Sequence, residues 1–258
     1  MKVSFPDKVV LICGGSRGIG LAAAKQFAAE GARVAINSRS ETNLTAATSL
    51  VSGARAFAAD LTRDDQALQM LDQVEAEIGP IDILVNCAGA AKRHAPAELT
   101  PQAWRHSMDA KFFSYLNVID PVIKRMAARR SGVIVNIIGN GGKVATPTHI
   151  AGGAANAALM LATVGLAAAY APYGVRVIGI NPGLTETDRV AAGLNAEAAH
   201  TGQSKEFLQA ERIKNIPFGR MALPEEIANT ILFVASDMAS YMTGINITMD
   251  GAQTTVVV

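Results

Sequence analysis

The sequence predicts an α/β fold in which a single doubly wound parallel sheet carries helices on both faces. Two observations support it: apolar runs alternate with segments of helical periodicity along the whole chain, and these runs are apolar throughout. Strands that are apolar on both faces are typical of a parallel sheet covered by helices, and right-handed crossovers then wind it in both directions. No repeat, linker or low-complexity segment divides residues 1–258, so we expect one domain.

The strands are predicted from β-branched apolar runs that end in glycine, asparagine or another turn residue. They are Lys8–Cys13, Arg33–Asn37, Ala54–Ala58, Asp82–Asn86, Gly132–Ile138, Val175–Ile180 and Ile245–Met249. The helices are predicted from apolar spacing of three and four residues, and most of them stop at a glycine or proline. They are Gly18–Glu30, Glu41–Ser52, Asp64–Ile78, one long or two abutting helices over Pro101–Arg129, Ile150–Tyr170 and Pro224–Ser236.

Composition excludes several classes of protein. Half of the 258 residues are hydrophobic, which excludes a disordered chain. The net charge of +1 provides no field to recruit nucleic acid or an anionic membrane. The uncharged stretch Ile150–Tyr173 is rich in Ala and Gly, so we interpret it as a buried or interface helix rather than a membrane span. With two cysteines, expected as free buried thiols, and no apolar leader in residues 1–8, we expect a cytoplasmic protein.

A glycine-rich loop joins the first predicted strand to the first predicted helix. Glycines at 14, 15, 18 and 20 allow a tight turn and a close approach of the backbone to a pyrophosphate. The free N–H groups at the start of the helix then face the phosphate oxygens. The spacing differs from the common Gly-x-Gly-x-x-Gly, but its position between the first strand and helix favours dinucleotide binding over a merely flexible loop.

Several motifs in serial order make the chain resemble the short-chain dehydrogenases/reductases, and most closely their 3-oxoacyl-reductase type. The motifs are Gly14-Gly15-Ser16-Arg17-Gly18-Ile19-Gly20, Asp60-Leu61, Asn86-Cys87-Ala88-Gly89, Val135-Asn136-Ile137, Asn181-Pro182-Gly183-Leu184-Thr185-Glu186-Thr187, and the stretches from Ile216 to Ala228 and from Ser236 to Gly251. The resemblance covers nearly the whole chain. It implies a Rossmann-like fold and an oxidoreductase that uses a nicotinamide dinucleotide.

The residues after the second strand indicate which dinucleotide. An NAD site usually has Asp or Glu about 20 residues past the glycines, to bind the ribose hydroxyls. Here Ser38-Arg39 stands there, and Arg17 lies in the glycine loop. Two guanidinium groups suit a 2′-phosphate, so we predict NADP(H). The expected cofactor-binding residues, several implied by the resemblance alone, are Gly14, Ser16, Arg17, Gly18, Ile19, Gly20, Ser38, Arg39, Asp60, Leu61, Asn86, Ala88, Gly89, Pro182, Gly183, Leu184 and Thr187.

The catalytic positions depart from the family pattern. The family uses a Tyr-x-x-x-Lys pair on the helix after the fifth strand, a Ser at the end of that strand, and an Asn on the preceding long helix. Alignment on Val135-Asn136-Ile137 puts Gly139 in place of Ser, Gly152 in place of Tyr and Asn156 in place of Lys, while Lys111 replaces the Asn. None of the four tyrosines has a lysine four residues after it. The usual mechanism therefore cannot be transferred.

Two interpretations of this replacement stay open. In the one we favour, the chain is an enzyme with a rearranged catalytic set. Lys111 supplies the lost ammonium, His149 acts as acid or base, and Asn156 hydrogen-bonds the nicotinamide ribose. Asn140 or Thr148 could orient an oxygen. In the other interpretation, the chain binds NADP(H) without turnover, as a nucleotide-responsive protein or as the partner of an oligomer. No metal site is predicted.

The segment 184–220 is irregular with helical pieces, and it lies where the family has its substrate lid. Its apolar residues predict a small-molecule substrate that is partly apolar, although they could equally be the buried faces of short helices. The uncharged helix Ile150–Tyr170 and the long helix Pro101–Arg129 suggest contacts between subunits. The resemblance implies a homotetramer, with a dimer as the alternative.

Overall fold

A single parallel sheet forms the centre of the computed structural model, which describes residues 3–89 and 92–256. Its order is β3-β2-β1-β4-β5-β6-β7, and neighbouring strands pair in parallel. The strands are β1 Val9–Cys13, β2 Arg33–Ser38, β3 Arg55–Ala58, β4 Ile83–Asn86, β5 Gly132–Ile137, β6 Val175–Pro182 and β7 Asn246–Met249. The predicted doubly wound α/β fold is therefore confirmed.

Helices cover both faces of this sheet. Their bounds are α1 Gly18–Ala29, α2 Glu41–Leu50, α3 Asp64–Glu77, α4 Pro101–Met108, α5 Ser114–Arg129, α6 Ile150–Tyr170, α7 Asp188–Thr201, α8 Lys205–Lys214 and α9 Pro224–Ala235. A π-helical turn, Asp109–Phe113, joins α4 to α5. The segment 101–129 is thus one continuous helical run with a widened turn in its middle. Such turns are common at functional sites, and this one contains Lys111.

Strand β1 shows why the strands are apolar throughout. Val9, Leu11 and Cys13 belong to the core cluster on one face of the sheet, and Val10 and Ile12 belong to the cluster on the other. All five side chains are completely buried, because helices pack on both faces. The strand therefore shows no alternation of apolar and polar residues, because both of its faces are buried.

Local capping fixes the ends of several helices. The Thr100 hydroxyl accepts a hydrogen bond from Ala103 N at 3.2 Å, and Pro101 fits the first turn of α4 because that turn needs no N–H from it. In the segment 184–220, Thr187 caps α7 and Ser204 caps α8. The expected helical pieces in this segment are thus two capped helices.

Helix α6 is apolar enough to have raised the question of a membrane span. In the described part of the chain, the segment Ile150–Tyr173 is long and apolar enough to cross a bilayer by length and composition alone, and half of its most apolar stretch is buried inside the protein. Its outward side includes Leu161, which is 75% exposed, and Val164, which is 41% exposed. Residues Met1 and Lys2 of the N-terminal segment examined for a leader lie outside the described residues.

Candidate functional site

A cavity of about 690 Å³ opens at the carboxyl ends of the central strands. The sheet order reverses at β1, because the chain runs from β1 to β2 and β3 on one side and to β4 on the other. Ligands of doubly wound sheets bind in the crevice that this reversal creates. The cavity lies in that crevice, between the loop after β1, the loop after β4, the π turn and the start of α7.

The glycine loop shapes the floor of the cavity. Gly14 and Gly18 have φ angles of +74° and +53°, which glycine adopts at little cost. A Cβ at Gly14 would lie 2.7 Å from the backbone of Ala88, and a Cβ at Gly20 would lie 2.3 Å from the carbonyl oxygen of Gly14. A side chain at either position would therefore collide with the backbone of the loops after β1 and β4, and only glycine permits this close approach. The loop therefore fits a pyrophosphate at the helix N-terminus.

Two exposed arginines line the cavity at the ends of β1 and β2. Arg17 lies just before α1, and Arg39 follows Ser38, the last residue of β2. Among the described residues, neither guanidinium forms an ion pair with a carboxylate. Both groups are thus available to a phosphate in this part of the cavity.

Sixteen of the 17 residues predicted to bind the cofactor line this cavity, and Asn86 is the exception. The Asn86 side chain is buried and donates to Asn136 Oδ1 at 3.0 Å, while Asn136 Nδ2 donates to Thr163 Oγ1 at 3.0 Å. This chain of amides ties β4 to β5 and to α6. The Asn86 Oδ1 atom is buried without a hydrogen-bond partner among the described residues, and the cofactor contact expected of Asn86 stays a prediction.

The structure adds lining residues that were not among the predicted site residues. Cys87, Ser114, Ile138 and Arg189 all face the cavity. Arg189 lies in the first turn of α7, two residues after the predicted Thr187. Thr187 is a typical N-cap residue, and a helix predicted to begin after it would have placed Arg189 next to the cofactor site. Arg189 brings a third guanidinium group to the site. Cys87 is an unpaired thiol, and burial raises its pKa to about 12.

Lys111 reaches the same cavity from the π turn, although its side chain is only 7% exposed. Its Nζ donates hydrogen bonds to Tyr115 Oη and to the carbonyl oxygen of Ile137, both at 2.8 Å. Tyr115 is completely buried, and its hydroxyl donates to the same Ile137 oxygen at 2.6 Å. The predicted cation is thus held at the end of β5, where the cavity has its inner wall.

This pair has the reverse order of the family's Tyr-x-x-x-Lys pattern. In the family a lysine follows a tyrosine by four residues, whereas here Lys111 precedes Tyr115 by four on the same helical run. The pair could have been found by testing both orders. Their places differ as well: the lysine lines the cavity, and the tyrosine lies behind it in the core.

The surroundings of Lys111 favour its neutral amine. Burial, and then the positive charge of Arg189, lower its pKa to about 7, although the Cys87 thiol acts weakly in the opposite direction. In the opposite direction, the Nζ atom lies 4.4 Å from the centre of the Tyr115 ring, a contact that favours the ammonium. Burial raises the pKa of Tyr115 well above its usual range, so the phenol stays protonated. Of the two groups, only the lysine can exchange a proton near neutral pH.

His149 lies at the start of α6, and its imidazole occupies the space beside Gly152. A Cβ at Gly152 would lie 2.1 Å from His149 Cε1, so a side chain at the position aligned with the family tyrosine would have to displace the imidazole. His149 Nδ1 is buried without a hydrogen-bond partner. Burial and the charges of Arg93 and Lys111 lower the pKa of His149, which favours the neutral ring. Of the described residues, those that line the cavity do not include His149.

Asn156 is buried one helical turn further along α6. Its Nδ2 lies 3.5 Å from the carbonyl oxygen of Gly139, a contact at the outer limit of a hydrogen bond. Gly139 itself lines the cavity and has a φ of +118°, which a serine would adopt only with strain. Asn156 therefore lies behind the cavity wall. The catalytic roles predicted for His149 and Asn156 stay predictions, as does that of Lys111.

The residues thought able to orient an oxygen are engaged elsewhere. Asn140 Nδ2 donates to Asp250 Oδ2 at 2.6 Å, and Thr148 Oγ1 accepts from Arg93 at 3.2 Å. The described residues contain no cluster of three or more His, Cys, Asp or Glu side chains suited to a metal ion.

Comparison with known proteins agrees with this geometry. The family model described as Enoyl-(Acyl carrier protein) reductase matches residues 14–254. A 3-oxoacyl-[acyl-carrier-protein] reductase of Chlamydia muridarum is 34% identical over 250 residues, which are 95% of this chain and 96% of the relative. An acetoacetyl-CoA reductase of Rhizobium meliloti is 32% identical over 96% of this chain and 98% of its own. L-sorbose reductase of Gluconobacter frateurii, solved with NADPH and L-sorbose, is 27% identical, with a TM-score of 0.93 over the full length of both chains.

The fold and the cavity define a protein built to bind a dinucleotide at the switch point of a parallel sheet. The family model and the sequence relatives show that the chain belongs to the short-chain dehydrogenase/reductase family. The relatives named above are oxidoreductases. Membership of this family, together with the similar structures solved with NADPH, supports the binding of a nicotinamide cofactor in this cavity.

Proposed function

We propose that the protein is an NADP(H)-dependent oxidoreductase that interconverts a carbonyl group and an alcohol by hydride transfer, using a non-standard catalytic set. The observation that carries this proposal is the Lys111 amine, which lines the nucleotide cavity at its inner wall. The preference for NADP(H) rests on Arg17 and Arg39, which line the same cavity without carboxylate partners in the described chain. They would bind the 2′-phosphate, and the glycine loop would bind the pyrophosphate.

The bound cofactor supplies or accepts the hydride. Lys111 moves the proton: as an ammonium it donates to the substrate oxygen during carbonyl reduction, and as an amine it accepts from the alcohol during oxidation. A general acid works best when its pKa lies near the working pH, and the pKa of Lys111 is about 7. Tyr115 and Ile137 hold the nitrogen in place through two hydrogen bonds of 2.8 Å.

His149 and Asn156 have supporting roles in this proposal. Asn156 holds the wall at Gly139, beside the expected nicotinamide ribose. The unpaired Nδ1 of His149 could take up or release a proton if the wall between its ring and the cavity opens. The substrate is a small molecule with an apolar part, because Ile137, Ile138 and Val190 are among the residues that line the cavity.

The test is NADPH oxidation against a panel of aldehydes and ketones, with NADPH binding measured in parallel. We expect wild type to turn over part of the panel, and Lys111→Met to retain binding but lose at least about 100-fold in kcat, the range for a general acid. Lys124→Met is the matched control, because that lysine is exposed and paired with Asp120. If wild type binds NADPH without any turnover, the chain has the alternative function of a nucleotide-responsive binding protein.

We further propose that the protein works as a homotetramer in the cytoplasm. The outward faces of α6 and of the 101–129 run support the assembly, because Leu161, Val164, Phe113 and Trp104 are all more than one-third exposed. The two free thiols suit a reducing compartment. Light scattering should give the mass of four chains, and a monomer would contradict the assembly.

A further inference from the structure

The hydrogen bonds of Lys111 leave one direction of its nitrogen unused. A neutral primary amine has two N–H groups and one lone pair. Both N–H groups have fixed acceptors, Tyr115 Oη and the Ile137 carbonyl oxygen, at 2.8 Å each. The Tyr115 proton is itself held by the Ile137 oxygen at 2.6 Å, so the phenol oxygen acts as an acceptor toward Lys111. The lone pair is what remains for the cavity that Lys111 lines.

Burial and the positive charge of Arg189 on α7 favour the neutral amine and so leave this lone pair without a proton. The other groups that face Lys111 are Tyr115 on its own helical run and Cys87 after β4, which both favour the ammonium, and His149 before α6. Tyr115 stays a neutral phenol, the Cys87 thiol is protonated, and the His149 ring is neutral. In the described chain, no carboxylate pairs with Lys111. Burial beside another cation is a known way to make a lysine nucleophilic.

We infer that Lys111 is a nucleophilic amine that captures small aldehydes from the cavity as an imine, a reaction that needs no hydride transfer and goes beyond the proposed function. The nitrogen lone pair forms a bond to the carbonyl carbon, and the C=O π electrons move to the oxygen. Proton transfer from nitrogen to oxygen gives a carbinolamine. Loss of water, made of that hydroxyl and the second N–H proton, leaves C=N. Hydrolysis reverses every step.

The cavity indicates the class of aldehyde. Ile137, Ile138 and Val190 are among its apolar lining residues, and Ile137 contacts Lys111 Nζ through its carbonyl oxygen, so an aliphatic chain fits the cavity that the lysine lines. Butanal is a suitable probe, since it is small, apolar and reactive without a catalyst.

The experiment traps the imine in the full-length, cofactor-free protein at pH 7.5. Butanal and sodium cyanoborohydride are added, the hydride of cyanoborohydride reduces the imine to a stable butylamine, and peptide mass mapping gives the rate at each lysine. Lys124, exposed and paired with Asp120, is the internal reference within the same molecule. We expect Lys111 to react at least about tenfold faster than Lys124, because most of its amine is already neutral at this pH.

Two further measurements sharpen the result. The first is the pH dependence: the labelling rate at Lys111 should fall about tenfold between pH 7.5 and pH 6, because the amine becomes protonated. The second is a pair of variants: Lys111→Met should lose the fast label, and Lys124→Met should keep it. Labelling of Lys111 no faster than Lys124 would overturn the inference, even if the protein reduces ketones with NADPH. Fast labelling without any NADPH turnover would support the inference and contradict the proposed function, so the two failures are distinguishable.

Discussion

Lys111 Nζ and Tyr115 Oη lie 2.8 Å apart at the inner wall of the cavity, with the lysine facing the cavity and the tyrosine enclosed in the core. The two residue types that the family pairs for proton transfer are thus both present, but on a different helix and in reverse order. Burial keeps the phenol protonated and favours the neutral amine. In the function proposed above, Lys111 therefore moves the proton and Tyr115 positions Lys111.

Removing the Tyr115 hydroxyl should therefore shift the titration of Lys111. In Tyr115→Phe the ammonium loses an acceptor, and a charged donor loses more than a neutral one. We expect the pKa of Lys111 to fall by about one unit, since about 1.4 kcal/mol corresponds to one unit. Ketone reduction requires the ammonium, so the decline of kcat/KM with rising pH should move to lower pH by the same amount.

The control for this prediction is Tyr170→Phe, because Tyr170 is only half-buried and packs against Tyr173. Lysine ¹⁵N chemical shifts of the cofactor-free protein give the Lys111 titration without any turnover. A Tyr115→Phe protein that melts earlier but keeps the wild-type titration would show that Tyr115 serves packing alone.

Gly152→Ala should be less favourable than another Gly→Ala change on the same helix because of His149. A helix interior normally gains about 1 kcal/mol when glycine becomes alanine, and Gly165→Ala has open space and should show this gain. In Gly152→Ala the new Cβ would lie 2.1 Å from the imidazole, so the ring has to move and we expect this gain to be lost.

Urea unfolding of the single and double variants tests this contact. In the His149→Ala background, Gly152→Ala should become as favourable as Gly165→Ala, because the obstructing ring is gone. Equal effects of Gly152→Ala with and without His149 would contradict the contact.

The stability of the fold should depend on pH through Lys111. Its folded pKa of about 7 lies below the usual lysine value of 10.5, so the unfolded chain binds the proton more tightly. The contribution of this group to the free energy of unfolding therefore rises with pH between those two values, and it is lost as pH falls toward 7. The gain should be roughly 1 kcal/mol per pH unit.

Comparison with Lys111→Met isolates this dependence from other titrations, such as those of Cys13 and Cys87, whose raised pKa values act in the opposite direction at high pH. Unfolding in urea at pH 7, 8 and 9 should show wild type gaining on the variant at each step. A constant difference between the two proteins would mean that Lys111 has an unshifted pKa.

Arg39 should determine the choice of dinucleotide. Arg39→Ala should weaken NADPH binding by about 10- to 100-fold, the value of one charge-assisted contact, and leave NADH binding nearly unchanged. Arg55→Ala is a matched control, since that arginine is half-exposed at the next strand and pairs with Glu77. Fluorescence titration with both nucleotides gives the two affinities, and equal wild-type affinities would refute the NADP preference.

Much of the fold followed from local patterns. The predicted strand and helix ends differ from the observed ones by at most two residues, because glycine, proline and capping residues terminate elements locally. The hydrogen bond from Asn86 to Asn136 could not be predicted in this way, because only the register of β4 and β5 brings the two side chains together.

The sequence by itself determined the doubly wound sheet and the glycine loop, since both follow from residue order and spacing. Only the tertiary structure decided that Lys111 is buried against Tyr115 and Ile137, that Arg189 faces the same cavity, and that His149 fills the space above Gly152. The physical reason is that burial and electrostatic contact depend on which distant segments share a volume. The pKa of a lysine amine depends on its burial and on the charges around it, and residue spacing along one helix does not reveal either of these.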